Sequence, residues 1–267
     1  MVTRVREQAE PFCRELAARG AMPLCLPTVQ FVPPDDLQPL DRELRRLGDF
    51  DWLLLTSQNA VRALVDRCRE LGFELSDALS SAGPEEGSHE LEVAAVGPAT
   101  AEAAARAGLL VDYVARDHQA LGLAAELAPR LRGARVFWPH SDRSAAELAD
   151  ALRGAGANVV AVVAYRTVHA APQDDAVLEQ LRCGAADVVT FFSPSAFRNL
   201  AEDVGFETLR AIHPQTAFAA IGPVTASALS EAGLHPQIIS ADASVASFVA
   251  ALSDYFSLAA PPEGRRE

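Results

Sequence analysis

The sequence predicts an α/β protein built from two similar lobes, each with a parallel sheet. Short apolar or β-branched runs alternate with stretches of helical period rich in alanine, leucine, arginine and glutamate, a pattern typical of parallel sheets covered by helices on both faces. The strand–turn–helix pattern also occurs in duplicate. DWLLLTSQNAVRAL (51–64) returns as DVVTFFSPSAFRNL (187–200), and VAAVGPATAEAAARAGL (93–109) returns as FAAIGPVTASALSEAGL (218–234). At 267 residues the chain is long enough for two domains.

Individual elements follow from the periodicity and from the turn residues that bound each run. Strands are expected at 22–26, 52–56, 93–96, 135–138, 159–165, 187–192, 217–221 and 236–239. Helices are expected at 6–19, 36–47, 59–70, 99–107, 120–131, 144–154, 174–182, 195–203, 224–232 and 244–255.

The duplicated segments keep nearly constant spacing. Ser57 and Ser193 are separated by 136 residues, whereas Gly97 and Gly222 are separated by 125. The difference of 11 falls in segment 79–90, rich in serine, glycine, proline and glutamate, which we predict to be a surface loop.

Two short segments, 27–34 and 165–172, combine β-branched residues with a following proline, as expected for extended passages between lobes. A chain that crosses twice makes one lobe discontinuous. The predicted division is a first lobe of 1–30 and 168–256, a second lobe of 33–165, and a disordered tail of 257–267.

Composition excludes several classes of function. The net charge of −13, from 23 basic and 36 acidic residues, argues against a nucleic-acid partner. No apolar run approaches the roughly 20 residues of a membrane span, and the N-terminus lacks the apolar core of a signal peptide. We therefore expect a cytoplasmic protein without membrane contact. The four cysteines and six histidines are scattered without metal-ligand spacing, so neither a metal nor a cofactor is expected.

Four related turns follow predicted strands: TSQNA (56–60), GPATA (97–101), SPSAF (193–197) and GPVTA (222–226). Serine is a natural N-cap, and glycine permits a tight turn. Each turn exposes backbone N–H groups at the positive end of a helix dipole, which favours carboxylates or phosphates. Ligands of open α/β sheets bind at the carboxyl ends of strands, where all four turns lie. Ordinary helix capping remains the alternative for each turn taken singly.

Outside these turns, few side chains are candidates for a catalytic or ligand-binding role. Tyr165 ends a strand-like run at a predicted connector, where its phenol can donate a proton or a hydrogen bond in a cleft between lobes; packing at a domain junction is the alternative. Arg4 and Arg143 follow strand-like positions and suit bidentate contact with carboxylates, although each also suits a plain surface position. The DHQ (117–119) and HSD (140–142) stretches lack the G-x-S-x-G turn of a hydrolase, and no G-x-G-x-x-G motif is present.

The repeated segments, together with VFWPHSDRSAAELADALRGAGANVVAVVAYRTV (136–168), resemble the uroporphyrinogen-III synthase family in order and spacing from about residue 2 to residue 255. The resemblance implies two flavodoxin-like lobes joined by a two-stranded β connector, with the active site in the cleft. It also implies that the protein cyclises hydroxymethylbilane to uroporphyrinogen III, with inversion of ring D and loss of water, in tetrapyrrole biosynthesis.

That reaction needs a proton donor for loss of the hydroxyl as water. Ring D then attacks through its substituted carbon, and the spiro intermediate fragments and recloses inverted. Without an enzyme the bilane closes directly to the type I isomer. The main task is therefore to hold the bilane in a folded geometry, and proton transfer is secondary.

By motif match, Tyr165 takes the place of the family's connector tyrosine and is the candidate acid. Thr100 and Thr225 match cleft threonines, and the turn residues would present backbone amides to acetate and propionate groups. The predicted substrate-binding residues are Arg4, Ser57, Gln58, Gly97, Thr100, Ser193, Ser195, Gly222 and Thr225. The chain departs from the family at residues 139–143, PHSDR, where a Pro-Arg-Gly-Asp-like turn is more typical.

The expected partner is therefore a linear tetrapyrrole, bound by a monomer in transient contact with hydroxymethylbilane synthase. Two other interpretations remain open. A non-enzymatic two-lobe binding or sensor protein for an anionic small molecule would keep the capped turns and would not need Tyr165. A two-lobe sugar-nucleotide transferase would bind nucleotides.

Overall fold

The computed structural model describes residues 1–80, 91–144, 146–171 and 174–259. The described chain is a mixed α/β protein dominated by parallel strand pairs, which confirms the predicted α/β class. The helices are α1 Arg6–Ala17, α2 Gln38–Leu44, α3 Gln58–Glu70, α4 Leu75–Ser80, α5 Pro98–Arg106, α6 Ala120–Leu127, α7 Glu147–Gly154, α8 Asp175–Arg182, α9 Pro194–Val204, α10 Phe206–Ile212, α11 Pro223–Glu231 and α12 Val245–Ala259. The strands are β1 Val29–Val32, β2 Trp52–Leu55, β3 Glu92–Ala95, β4 Tyr113–Val114, β5 Arg135–Ser141, β6 Asn158–His169, β7 Val188–Phe191, β8 Ala217–Ala220 and β9 Ile238–Ile239.

The chain divides into two compact units. Unit 1 comprises Met1–Gln30 and Val168–Glu267, and unit 2 comprises Phe31–Thr167. The passages between the units run through β1 and β6, which are neighbours in one sheet.

Unit 2 is organised around a six-stranded sheet of order β1-β6-β5-β2-β3-β4. All four residues of β2 are buried because both faces of the strand are covered. Leu53 and Leu55 pack in one apolar cluster with residues of α3, and Trp52 and Leu54 pack in another with residues of α6. Because both faces of β2 are buried, its sequence WLLL is apolar at every position.

Unit 1 has a three-stranded parallel sheet of order β7-β8-β9. Val2 forms isolated parallel bridges to Cys25 and to Thr190. The strand predicted at 22–26 was therefore wrong in extent, because only the bridge at Cys25 forms. Pro23 and Pro27 flank this bridge and have no N–H to extend the ladder.

The sequence missed short elements. Helices α4 and α10 and strand β4 are each seven residues or shorter, too short for a clear period. Helix α12 continues to Ala259, so the first three residues of the predicted tail are helical, and residues 260–267 lie outside the described residues. Within the predicted loop 79–90, the first two residues end α4, and 81–90 also lie outside the described residues. Among the described helices, none combines the length and apolarity needed to span a membrane.

An ion pair links α2 to α3 inside unit 2. Arg67 donates from Nε to Asp41 Oδ1 at 2.6 Å and from Nη2 to Oδ2 at 2.7 Å. The hydrogen bond from Arg67 is the main reason that the pKa of the Asp41 carboxyl lies below its ordinary 3.8. A carboxyl whose pKa is lowered by folding stabilises the fold above its unfolded pKa, and this contribution is lost as the pH falls through the folded pKa.

We therefore expect Asp41→Asn to lower the free energy of unfolding at pH 7 by about 1–2 kcal/mol. The difference from the parent protein should shrink as the pH falls below about 4. Urea unfolding of both proteins at several pH values measures this difference. Asp66→Asn, in the exposed pair with Arg62 on α3, is the matched control and should have little effect. If the free energies of unfolding of Asp41→Asn and of the parent differ by the same amount at every pH, the prediction is contradicted.

Candidate active site

The central feature of unit 2 is a hydrogen bond between two hydroxyl groups distant in sequence. Ser57 is the N-cap of α3, and its Oγ accepts from the N–H of Ala60 at 3.0 Å. The same Oγ lies 3.0 Å from the hydroxyl of Tyr165. Gln58 is the first residue of α3, so three predicted site residues meet at the carboxyl end of β2.

The ring of Tyr165 is held by apolar packing while its hydroxyl faces a polar group. The residue is 8% exposed and belongs to the apolar cluster between the sheet and α3. Phe31 meets the ring edge-on, with centroids 5.5 Å apart. Among the described residues its hydroxyl hydrogen-bonds only to Ser57. A phenol fixed in this way can donate a proton to a group placed beside it, with a second hydroxyl in contact.

Three further residues near the ends of β2 and β5 were not predicted as site residues, and among them Trp138 packs in a different apolar cluster from Tyr165. The indole N–H of Trp138 donates to Thr56 Oγ1 at 3.1 Å, and the ring of His140 stacks on the indole with centroids 4.5 Å apart. His140 Nδ1 lies 2.8 Å from the carbonyl oxygen of Ser141; a carbonyl only accepts, so Nδ1 carries the proton in this bond. The tryptophan in the sequence could have indicated this contact, because a buried indole N–H needs a hydrogen-bond acceptor.

Gly97 and Thr100 occupy the turn after the neighbouring strand β3. Gly97 is the N-cap of α5 and has no side chain to cap it. A Cβ at this position would lie 3.3 Å from His118 Nδ1. Thr100 is 5% exposed, and its hydroxyl makes no hydrogen bond to any described residue.

Unit 1 repeats the arrangement of the turns. Ser193 is the N-cap of α9 and accepts from the N–H of Ala196 at 3.1 Å, and its backbone angles (φ −165°, ψ 159°) match those of Ser57 (φ −161°, ψ 154°). Ser195 Oγ lies 3.0 Å from Ser193 Oγ.

The turn after β8 likewise repeats the turn after β3. Gly222 is the N-cap of α11 as Gly97 is of α5, again without a side-chain cap, and Thr225 is buried as Thr100 is. The duplicated sequence therefore folds into duplicated turns.

Arg4 lies between the bridge at Val2 and the start of α1. Its guanidinium carbon sits 4.7 Å above the centre of the Phe192 ring, and its Nε donates to Gln8 Oε1 at 3.3 Å. Burial lowers the pKa of Arg4 below its ordinary 12.5. Within the described part of the chain no carboxylate forms an ion pair with it. A partly buried charge without a counter-charge is costly, and an anionic ligand would supply the missing charge.

Two cavities lie away from these turns. One of about 800 Å³ in unit 2 is bordered by Asp51, Glu92 and Arg130, where β2 and β3 begin. One of about 740 Å³ in unit 1 is bordered by Met1 and Val188, at the start of β7. Both are at the amino ends of strands, whereas the predicted site residues in the turns follow the carboxyl ends, where ligands of open α/β sheets bind.

The fold and the turns together define an α/β protein with helix N-termini at the carboxyl ends of its strands. The chain belongs to the uroporphyrinogen-III synthase family, because the family model described as uroporphyrinogen-III synthase HemD matches residues 10–250. It is 31% identical over 230 residues to uroporphyrinogen-III synthase of Synechococcus elongatus, covering 84% of this chain and 83% of that protein. It is also 31% identical over 241 residues to a putative uroporphyrinogen-III synthase of Methanothermobacter thermautotrophicus, covering 87% and 89%.

Solved structures support the fold. The structure of uroporphyrinogen-III synthetase from Helicobacter pylori matches with a TM-score of 0.60 at 18% identity, covering 89% of this chain and 94% of that one. A mutant uroporphyrinogen III synthase from Thermus thermophilus matches with a TM-score of 0.57 at 22% identity, covering 96% and 98%.

Proposed function

We propose that this chain cyclises hydroxymethylbilane to uroporphyrinogen III, with loss of water and inversion of ring D. Membership of the uroporphyrinogen-III synthase family supports the reaction. The observation that supports it most directly in the site is the phenol of Tyr165, held by apolar packing and hydrogen-bonded to Ser57 at 3.0 Å. The non-enzymatic binding protein has no support among the relatives, three of which are named as uroporphyrinogen-III synthases, one of them as putative.

In the proposed mechanism Tyr165 donates its proton to the hydroxyl of the bilane. The C–O bond breaks, water leaves, and a conjugated cation remains on ring A. The hydroxyl of Ser57 stabilises the resulting phenolate by donating a hydrogen bond to it. Ring D then attacks through its substituted carbon, and the spiro intermediate fragments and recloses with ring D inverted. The phenolate takes back the proton released when the macrocycle regains aromatic pyrroles.

Substrate binding is proposed to use the duplicated turns of both units. Backbone N–H groups at the starts of α3, α5, α9 and α11 suit acetate and propionate groups, since helix N-termini favour anions. Arg4 provides a positive charge that forms no ion pair with a carboxylate of the described residues. We further propose that the units are flavodoxin-like lobes joined by a two-stranded β connector, and that the enzyme is a monomer that receives the bilane in transient contact with hydroxymethylbilane synthase.

The test is an assay in which hydroxymethylbilane is generated in situ and the oxidised products are separated as isomers by chromatography. Predominance of the type III isomer would support the proposed function, because the uncatalysed reaction gives type I. Type I alone, from protein shown to be folded by circular dichroism, would contradict it.

The turn at Gly222 offers a test of carboxylate binding. The extended backbone at this position (φ 178°) is open to any residue, and a Cβ there would meet no atom within 4 Å. Neither backbone geometry nor packing therefore requires glycine, whereas a ligand approaching the backbone amides would. We expect Gly222→Ala to raise KM by about fivefold or more, equivalent to roughly 1 kcal/mol or more of lost binding, without lowering the thermal midpoint.

The matched control is Gly154→Ala, at a second glycine with open space around it. This residue ends α7 on the surface, so KM should stay at the parent value. If Gly222→Ala leaves KM unchanged, the amides of this turn do not contact the substrate.

A further inference from the structure

An irregularity in β6 determines where the ring of Tyr165 points. Strands β5 and β6 pair in register until His140 pairs with Val163, after which Ser141 pairs with Tyr165. Ala164 is the extra residue of this β-bulge. Successive side chains of a regular strand point to opposite faces. Ala164 and Tyr165 nevertheless belong to the same apolar cluster as Val162, so the bulge turns the tyrosine ring to the face on which Ser57 lies.

Asp142 holds the chain of β6 at Tyr165 and just after it. Its backbone N–H donates to the carbonyl oxygen of Tyr165 at 3.1 Å. Its carboxylate Oδ1 accepts from the N–H of Thr167 at 2.9 Å and from the hydroxyl of Ser141 at 3.0 Å. The hydroxyl groups of Ser141 and Thr167 are 3.3 Å apart. The side chain of Asp142 thus takes the place of a backbone acceptor in the ladder just beyond the bulge, two residues after Tyr165.

We propose that Asp142 is a positioning residue for Tyr165: its carboxylate fixes the bulge in β6 and so holds the phenol against Ser57. The inference rests on the proposed function only where turnover is concerned, because the orientation of the ring can be measured without substrate. It also assigns a role to the HSD stretch, which is not a hydrolase triad. Bulges beside active sites commonly re-aim one side chain, and a small displacement of a reacting group has a large effect on rate.

Three variants and one background test the proposal. Asp142→Ala removes the acceptor for Thr167, whereas Asp142→Asn keeps an amide oxygen that can accept the same hydrogen bond. Asp112→Ala is the matched control, since its Oδ2 also accepts a backbone N–H, from Val93 at 2.8 Å, and it is an exposed residue of the same unit. Each change is made in the parent and in Tyr165→Phe.

We expect Asp142→Ala to lower kcat by about three- to tenfold in the parent and by less than about twofold in Tyr165→Phe, because the carboxylate acts through the phenol. Asp142→Asn should stay within about twofold of the parent, and Asp112→Ala should leave kcat unchanged. Equal losses from Asp142→Ala in both backgrounds, or no loss in either while Tyr165→Phe is impaired, would overturn the proposal.

Carbon NMR of protein labelled at the tyrosine Cζ gives a readout that does not depend on catalysis. The chain has three tyrosines, and the signal of Tyr165 is assigned from its loss in Tyr165→Phe. Asp142→Ala should shift this signal and leave those of Tyr113 and Tyr255 in place. An unmoved Tyr165 signal would overturn the proposal. If Tyr165→Phe keeps full turnover, the acid assignment fails, and the NMR shift alone decides whether Asp142 positions the ring.

Discussion

Replacing Tyr165 by phenylalanine is expected to lower kcat for uroporphyrinogen III by about 10- to 100-fold. This range is at and below the lower end for general acid catalysis, since the bilane loses its hydroxyl and closes even without an enzyme. Phenylalanine keeps the apolar packing against Phe31 and removes the proton donor together with the hydrogen bond to Ser57. Because a slower enzyme competes less well with spontaneous closure, the share of type I product should rise.

The measurement is the initial rate of type III formation at saturating bilane, with the isomer ratio recorded in the same samples. Tyr113→Phe is the matched control, since Tyr113 is a tyrosine of the same unit whose hydroxyl donates to Glu126 at 2.7 Å. It should keep the parent kcat. Binding of the bilane to Tyr165→Phe should stay close to normal if the phenol acts mainly as an acid. Full turnover in this variant would mean that another group, or water, supplies the proton.

The features that the sequence predicted well are local ones. The N-caps at Ser57 and Ser193 and the glycine N-caps of α5 and α11 follow from residue type and from the end of an apolar run. The duplication made them easier to recognise, because the same turn chemistry appears at two places in the chain. The alternation of strands and helices predicted the α/β class for the same reason.

Other parts of the site depend on contacts that no local pattern encodes. Ser57 and Tyr165 are 108 residues apart and meet only because β5 lies between β2 and β6 and because β6 contains a bulge. Periodicity alone would place Tyr165 on the opposite face from Ala164. The strand predicted at 22–26 was too long because its extent depends on pairing with Val2, which forms only a single bridge at Cys25.

The contact of Arg4 with Phe192 is also non-local, and it leads to the second large expected effect. We expect Arg4→Met to raise KM for hydroxymethylbilane by about 10- to 100-fold, because the variant loses charge-assisted hydrogen bonds to a carboxylate of the substrate. A methionine keeps an apolar stem over the Phe192 ring. The same change should leave the thermal midpoint unchanged or raise it, because it removes a partly buried charge that has no carboxylate among the described residues.

The opposite signs of these two effects separate a ligand-binding arginine from a structural one. If Arg4 served only to stack on Phe192 and stabilise the fold, Arg4→Met would lower the thermal midpoint and leave KM unchanged. Arg14→Met, on the helix α1 that follows Arg4 and in an exposed pair with Glu10, is the control and should change neither quantity appreciably. Salt should raise the KM of the parent more steeply than that of Arg4→Met, since screening weakens a contact that the variant no longer makes. A protein that gains stability as it loses affinity would show that the charge of Arg4, which pairs with no described carboxylate, is retained for the substrate.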